Sequence, residues 1–222
     1  GDFSKIKVTK FYETKNNSFL IFTDTSVYFY DIDKELIVNS LSFSEISVEK
    51  ANFYHYVDYI LEDDDKNLWF RTSSALFCIS GNKVNHILQL DGKYINKKNM
   101  GNIISDSLYI WLATDKDLYK IDKSTLKTDT INFRNFERQS FNDADIRNSI
   151  LIFDENHKIW ISTYDGLFCY DTVNHQFDKF FDNNGLLHNR ISNMFINNNK
   201  LWLANLLGIS VFDIDKKTFQ RF

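Results

Sequence analysis

The sequence predicts an all-β chain of five four-stranded antiparallel blades, and three observations carry that reading. A short pattern centred on tryptophan recurs along the chain. Its copies stand 49, 42, 49 and 42 residues apart. Between them lie short runs of Val, Ile, Phe, Tyr and Thr broken by Asn, Asp, Gly, Ser and Lys, with no apolar period of a helix over any long window. The 222 residues are 43% hydrophobic and 16% aromatic, with 21 Phe, which is ample material for flat, half-buried strands.

The repeat is anchored by Leu68-Trp69-Phe70-Arg71-Thr72, Ile110-Trp111-Leu112-Ala113-Thr114, Ile159-Trp160-Ile161-Ser162-Thr163 and Leu201-Trp202-Leu203-Ala204-Asn205. A fifth copy, Phe19-Leu20-Ile21-Phe22-Thr23, has Leu20 at the Trp position. The seventh residue after each anchor is aliphatic: Val27, Leu76, Leu118, Leu167 and Ile209. The eleventh is Asp31, Asp122, Asp171 or Asp213, with Ser80 as the exception.

A spacing of roughly 40 to 50 residues suits a four-stranded blade. In the fourth copy the strands are predicted over 146–153, 158–163, 167–171 and 176–180. Gly166 and Gly208 both fall six residues after their anchors, where a tight hairpin favours φ > 0. Blades are expected near 5–45, 53–91, 94–136, 144–182 and 189–222, in one region spanning 1–222. A lone blade has two apolar faces and stacking covers both, so the expected architecture is a β-propeller array, complete or part of a larger one, with each blade's inner strand preceding its Trp strand.

The joined pattern Asp154-x5-Trp160-x2-Thr163-x2-Gly166-Leu167-x2-Tyr170-Asp171-x5-Phe177, then Gly185-Leu186-x2-Asn189-x-Ile191, resembles the two-component regulator propeller repeat. The likeness is strongest over 146–222 and extends in weaker form over nearly the whole chain. The second copy departs from it at Ala75 and Ser80, and the first lacks the Trp. The resemblance implies the periplasmic sensor half of a hybrid two-component histidine kinase of Bacteroidetes, with oligosaccharides as the usual ligands. Such sensors carry more blades than five, so the chain is expected to be a fragment or a short relative.

No catalytic constellation stands out, and neither a metal nor a cofactor is expected. The histidines, His55, His86, His157, His175 and His188, lack metal-site spacing and are read as surface or turn residues. Cys78 and Cys169 each follow their anchor by nine residues, in equivalent strands of different blades, and are read as buried thiols. The run Glu62-Asp63-Asp64-Asp65 lacks the ligand spacing of a calcium loop and is read as a solvated hairpin. The repeated Asp is read as a turn residue that accepts backbone N–H groups.

A ligand site would form where loops gather at one end of the blades. The candidates are Arg71, Asp115, Tyr164 and Asn205, just past the anchors, and His188, Asn189 and Arg190, which precede a first strand. An aromatic face with amide and guanidinium donors suits a sugar. The plainer reading pairs Arg71 and Arg190 with neighbouring Asp and uses Tyr164 as a blade cap.

A net charge of -4 without basic blocks argues against nucleic acid and anionic membrane surfaces, and no apolar run is long enough to span a bilayer. The expected partners are a small molecule or oligosaccharide and, through exposed sheet faces, a second copy in a homodimer. Two other functions fit the repeat: a protein-interaction scaffold, and a propeller glycoside hydrolase or lyase using paired carboxylates.

Overall fold

A computed structural model describes residues 7–16, 18–43, 57–72, 75–89, 101–114, 117–132, 149–163 and 166–222. Among them the first blade comprises β1 (Val8–Glu13), β2 (Ser18–Thr23), β3 (Ser26–Asp31) and β4 (Leu36–Ser42). The second has β5 (Tyr59–Glu62), β6 (Leu68–Arg71), β7 (Ala75–Ser80) and β8 (Lys83–Gln89). The third has β9 (Ile103–Ser105), β10 (Tyr109–Ala113), β11 (Asp117–Asp122) and β12 (Thr128–Asn132). The fourth has β13 (Ile150–Phe153), β14 (Ile159–Thr163), β15 (Gly166–Asp171) and β16 (Gln176–Phe180). After a 3-10 turn at Asp182–Asn184, the fifth has β17 (Ile191–Asn197), β18 (Lys200–Asn205), β19 (Gly208–Asp213) and β20 (Thr218–Arg221).

In every sheet the strands neighbour one another in chain order, so the expected five four-stranded antiparallel sheets are present. Each Trp lies in a second strand, as does Leu20. The first strand of the fourth blade is described from Ile150, and residues 146–148 of the expected strand lie outside the described residues.

Two compact units divide the chain, Gly1–Ile95 and Asn96–Phe222. In the first unit, alternation along β2 turns Leu20 and Phe22 toward the second blade, where they join Leu68, Phe70, Ala75, Phe77 and Ile79 in one core. Phe70 is its centre, with ring centroids 5.3 Å from Phe22, 5.8 Å from Phe43 and 5.1 Å from Phe77. Trp69 is also fully buried, on the opposite face of β6 beside its cross-strand partner Cys78.

The second unit stacks three blades. Trp111 packs with Leu151, Ile159, Ile161 and Tyr170 of the fourth blade, and Trp160 packs with Ile191, Leu201 and Phe212 of the fifth. In both pairs the covering aromatic, Tyr170 or Phe212, lies ten residues after its own anchor and so on the face opposite it. First strands adjoin: β9 lies beside β13, and β13 beside β17. Asn102 links the first two, donating from Nδ2 to the Leu151 carbonyl (2.9 Å) and accepting from the Leu151 N–H (2.6 Å). Gly101 allows that approach, because a Cβ there would meet the Ser149 carbonyl oxygen at 1.9 Å.

The 2–3 hairpins share one device at the residue three after the anchor. Thr23, Thr72, Thr114 and Thr163 each hydrogen-bond across the turn, as in the Ser26 N–H to Thr23 Oγ1 bond of 2.9 Å. Gly166 and Gly208 have φ of 125° and 150°, so the expected positive φ is present at both.

Candidate functional site

Antiparallel order sends the 1–2 and 3–4 hairpins to one end of each blade, and the 2–3 hairpins and blade-to-blade connections to the other. The first end is acidic and structural. Asp122 accepts the N–H groups of Ser124 and Thr125 (3.0 and 2.8 Å), and Asp171 those of Val173 and Asn174 (2.9 Å each). Asp31 and Asp213 accept from Lys34 and Lys216 (3.0 Å each). These bonds hold the four carboxyls below the usual Asp range, in Asp31 chiefly through the Lys34 ammonium and in Asp122 chiefly through the Ser124 hydroxyl.

A second set of carboxylates at this end receives the tryptophans. The indole N–H donates to Asp63 from Trp69 (2.8 Å), to Asp106 from Trp111 (2.8 Å) and to Asp154 from Trp160 (3.0 Å). This corrects the solvated-hairpin reading of 62–65. Glu62 and Asp63 are buried, Asp63 to 2% exposure, and only Asp64 and Asp65 face solvent. A buried indole N–H needs an acceptor, and the residue opening the 1–2 turn is within reach. The signal in the sequence was the Asp six residues before Trp69 and Trp160, blurred by the shorter turn that puts Asp106 five before Trp111.

At the other end of the fourth and fifth blades, four predicted site residues meet. Asn205 Nδ2 donates to the His188 carbonyl (2.8 Å), and Asn205 Oδ1 accepts from the Ser210 hydroxyl (2.7 Å). The same hydroxyl oxygen accepts the Leu187 N–H (3.0 Å). Asn189 accepts from Asp182 through its side chain (2.7 Å) and from the Gly166 N–H through its carbonyl (2.9 Å). Asn189 and Asn205 thus clamp the backbone on which His188 and Arg190 stand. His188 Nδ1 accepts the Arg190 N–H (2.9 Å), so the neutral ring carries its proton on Nε2 and has that donor left to offer.

Arg71 belongs to the first unit, where it is 7% exposed with Nη1 3.4 Å from Asp58 Oδ2. Burial lowers its pKa and the Asp58 carboxylate opposes that shift, which fits the pairing reading. Asp115 and Tyr164 lie outside the described residues, as does His55. His86 differs from the turn reading: it sits in β8 with its ring 5.3 Å from that of Phe77.

Between the fourth and fifth blades runs a cleft of about 220 Å³, floored by Trp160, Cys169, Phe180 and Phe212 and rimmed by Asp154, Asp178, Lys158 and Lys217. Its chemistry is muted. Asp154 is taken up by Trp160 and by the Asn156 and Lys158 N–H groups (2.9 Å each). Burial, reinforced by Asp154, pushes the Cys169 thiol up to about 12; Cys78 is pushed to about 12 in the same way, with Asp63 reinforcing. Thiols so shifted are poor nucleophiles at neutral pH. Both are free and buried. Among the described residues no three His, Cys, Asp or Glu side chains gather as metal ligands.

No family profile and no curated protein matches the chain. Solved structures do match in fold. The extracellular domain assigned to the hybrid two-component system BT3049 of B. thetaiotaomicron aligns over 97% of this chain and 28% of its own, at 17% identity and a TM-score of 0.62. That assigned to the BT4673 system of the same organism aligns over 97% and 29%, at 19% identity and 0.60. PorZ, a surface component of the type-IX secretion system of Porphyromonas gingivalis, aligns over 94% and 32%, at 15% identity and 0.60. The chain therefore shares the fold of extracellular domains of two-component systems and spans under a third of their length.

Proposed function

We propose that the chain is part of the periplasmic ligand-sensing region of a two-component signalling receptor, and that its ligand is a glycan or oligosaccharide. The supporting observation is the loop end of the fourth and fifth blades. There Asn205 replaces the hairpin Thr, and His188 and Arg190 stand on a backbone already fixed by side-chain hydrogen bonds. A sugar presents several hydroxyls at fixed spacing, and an imidazole N–H on a preorganised loop that also carries an arginine suits such a ligand at low entropic cost. The fold shared with extracellular domains of two-component systems supports the signalling context. Signal would pass by a change in domain contacts on binding, without bond chemistry.

The test is an oligosaccharide panel measured by calorimetry together with a turnover assay. The expected result is saturable binding without product, weakened at least about tenfold in the His188→Ala, Arg190→Ala double variant, roughly 1.4 kcal/mol. Arg71→Ala, measured alongside, asks whether the first unit contributes. Product formation would replace the proposal with the hydrolase or lyase reading. Absence of binding across the panel would favour the interaction scaffold.

A further inference from the structure

The third and fourth blades use one position in opposite ways. Nine residues after the anchor, facing the indole across the hairpin, the third blade has Lys120 and the fourth has Cys169. Lys120 turns its ammonium over the rings of its own blade, with Nζ 3.8 Å from the Tyr109 ring centroid and 5.7 Å from that of Trp111. A cation so placed is attracted by the ring quadrupoles, and the stem that carries it fills the space beside the anchor. Cys169 is short and uncharged. The cleft of about 220 Å³ between the fourth and fifth blades opens beside it, against Trp160.

The carboxylate opposite this position is kept in both blades: Asp129 faces Lys120, and Asp178 faces Cys169. The fourth blade thus has the acid without the cation. The fifth blade brings Asp215 to the same cleft, thirteen residues after its anchor, where the fourth blade has the apolar Val173. Among the described residues neither Asp178 nor Asp215 makes a hydrogen bond or ion pair through its side chain.

Of the two lysines on the rim, Lys158 is matched by Asp171, with Nζ 3.3 Å from Oδ2, and Lys217 is exposed on the 3–4 turn. Counting Asp154, three lining carboxylates stand against two ammonium groups, one of which is already neutralised. The local field therefore favours a cation. Phe180 and Ile214, both half-buried, give the cleft an apolar lining for the rest of such a ligand.

We propose that this cleft binds a small organic ammonium ion, whose nitrogen takes the place that the Lys120 ammonium holds in the third blade. Asp178 and Asp215 are its counter-charges, and its apolar body lies against Phe180 and Ile214. The volume is below the roughly 300–1,000 Å³ of pockets for drug-sized ligands, so the body is no larger than a single ring. The lining comes wholly from the fourth and fifth blades, at the hairpin end opposite the His188 and Arg190 loop, so the site is separate from the proposed glycan site.

The probe is phenethylamine, titrated by calorimetry at low ionic strength while the indole N–H resonances are followed. Saturable one-to-one binding is expected, with the Trp160 resonance shifted and that of Trp69 unmoved. Phenethyl alcohol, which has the same body and no charge, should bind at least about tenfold more weakly, and phenylacetate should not bind. Asp178→Asn, at an exposed position, should weaken the amine about fivefold or more. Cys169→Lys supplies an ammonium of the chain's own, as in the third blade, and should abolish binding; where that variant fails to fold, Asp178→Asn decides. The His188→Ala, Arg190→Ala double variant should bind the amine as the unaltered chain does, which keeps this result distinct from that of the oligosaccharide panel. Absence of saturable amine binding, equal binding of the alcohol, or undiminished binding by Asp178→Asn would each overturn the proposal.

Discussion

Trp160 and Trp202 stand at the same place in successive blades and live in different surroundings. Trp160 is 3% exposed, bonded to Asp154 and packed between Phe180 and Phe212 at 5.8 and 5.3 Å. Trp202 is half-buried, stacked on Phe195 and facing Val211 across the hairpin. Their own strands are nearly identical, Ile159-Trp160-Ile161 and Leu201-Trp202-Leu203. The environment of an anchor is therefore set by two things outside its strand: the blade that covers it, and whether the preceding turn opens with an acceptor.

The most severe way to test that contrast is to truncate both rings. Trp160→Ala leaves a large hole between two blades and should cost about 3–5 kcal/mol in chemical denaturation. Trp202→Ala should cost less than about half of that, since part of the ring already meets water. Equal losses would mean that the following blade contributes little to the anchor.

Removing the acceptor tests the second factor. Asp154→Ala strands a buried indole N–H and also frees the Asn156 and Lys158 N–H groups, at an expected cost of about 2–3 kcal/mol. Asn197 opens the corresponding two-residue turn of the fifth blade, where it is exposed, and Asn197→Ala should change stability by less than about 0.5 kcal/mol. Indole hydrogen exchange gives a site-by-site readout. Trp69, Trp111 and Trp160 should exchange slowly and Trp202 quickly; slow exchange at Trp202 would remove the distinction.

The same contrast marks where the sequence was legible. Anchor spacing, the aliphatic column and the turn Asp fixed strand order, because each records a local backbone need that recurs in every blade. Gly166 and Gly208 were legible for the same reason. The burial of Asp63 was not, since a carboxylate in a charged run is indistinguishable from a solvated one until the indole across the hairpin is placed beside it. Asn205 was singled out as a polar residue just past its anchor, but its tie to the His188 carbonyl and Ser210 joins three separate chain segments.

The thiols sharpen the comparison most gently. Cys169 faces Trp160 across the hairpin, where the fifth blade has Val211 facing Trp202, and Cys78 faces Trp69 in the same manner. Folding raises both thiols from the ordinary 9.0 to about 12, mainly by burial. An acid whose folded pKa is raised is held neutral by the fold, so its stabilising effect is complete below about pH 9. It is lost progressively as the pH climbs from there toward 12, because the unfolded chain ionises first. The melting temperature should therefore fall above pH 9, and the Cys78→Val, Cys169→Val double variant should fall less steeply. At pH 8 neither thiol of the folded chain should react with a disulfide reagent. Phe212→Ala, which strips the cover from the fourth blade, should release Cys169 to react while Cys78 stays protected; rapid labelling of Cys169 in the unaltered chain would show that the fifth blade does not seal the fourth.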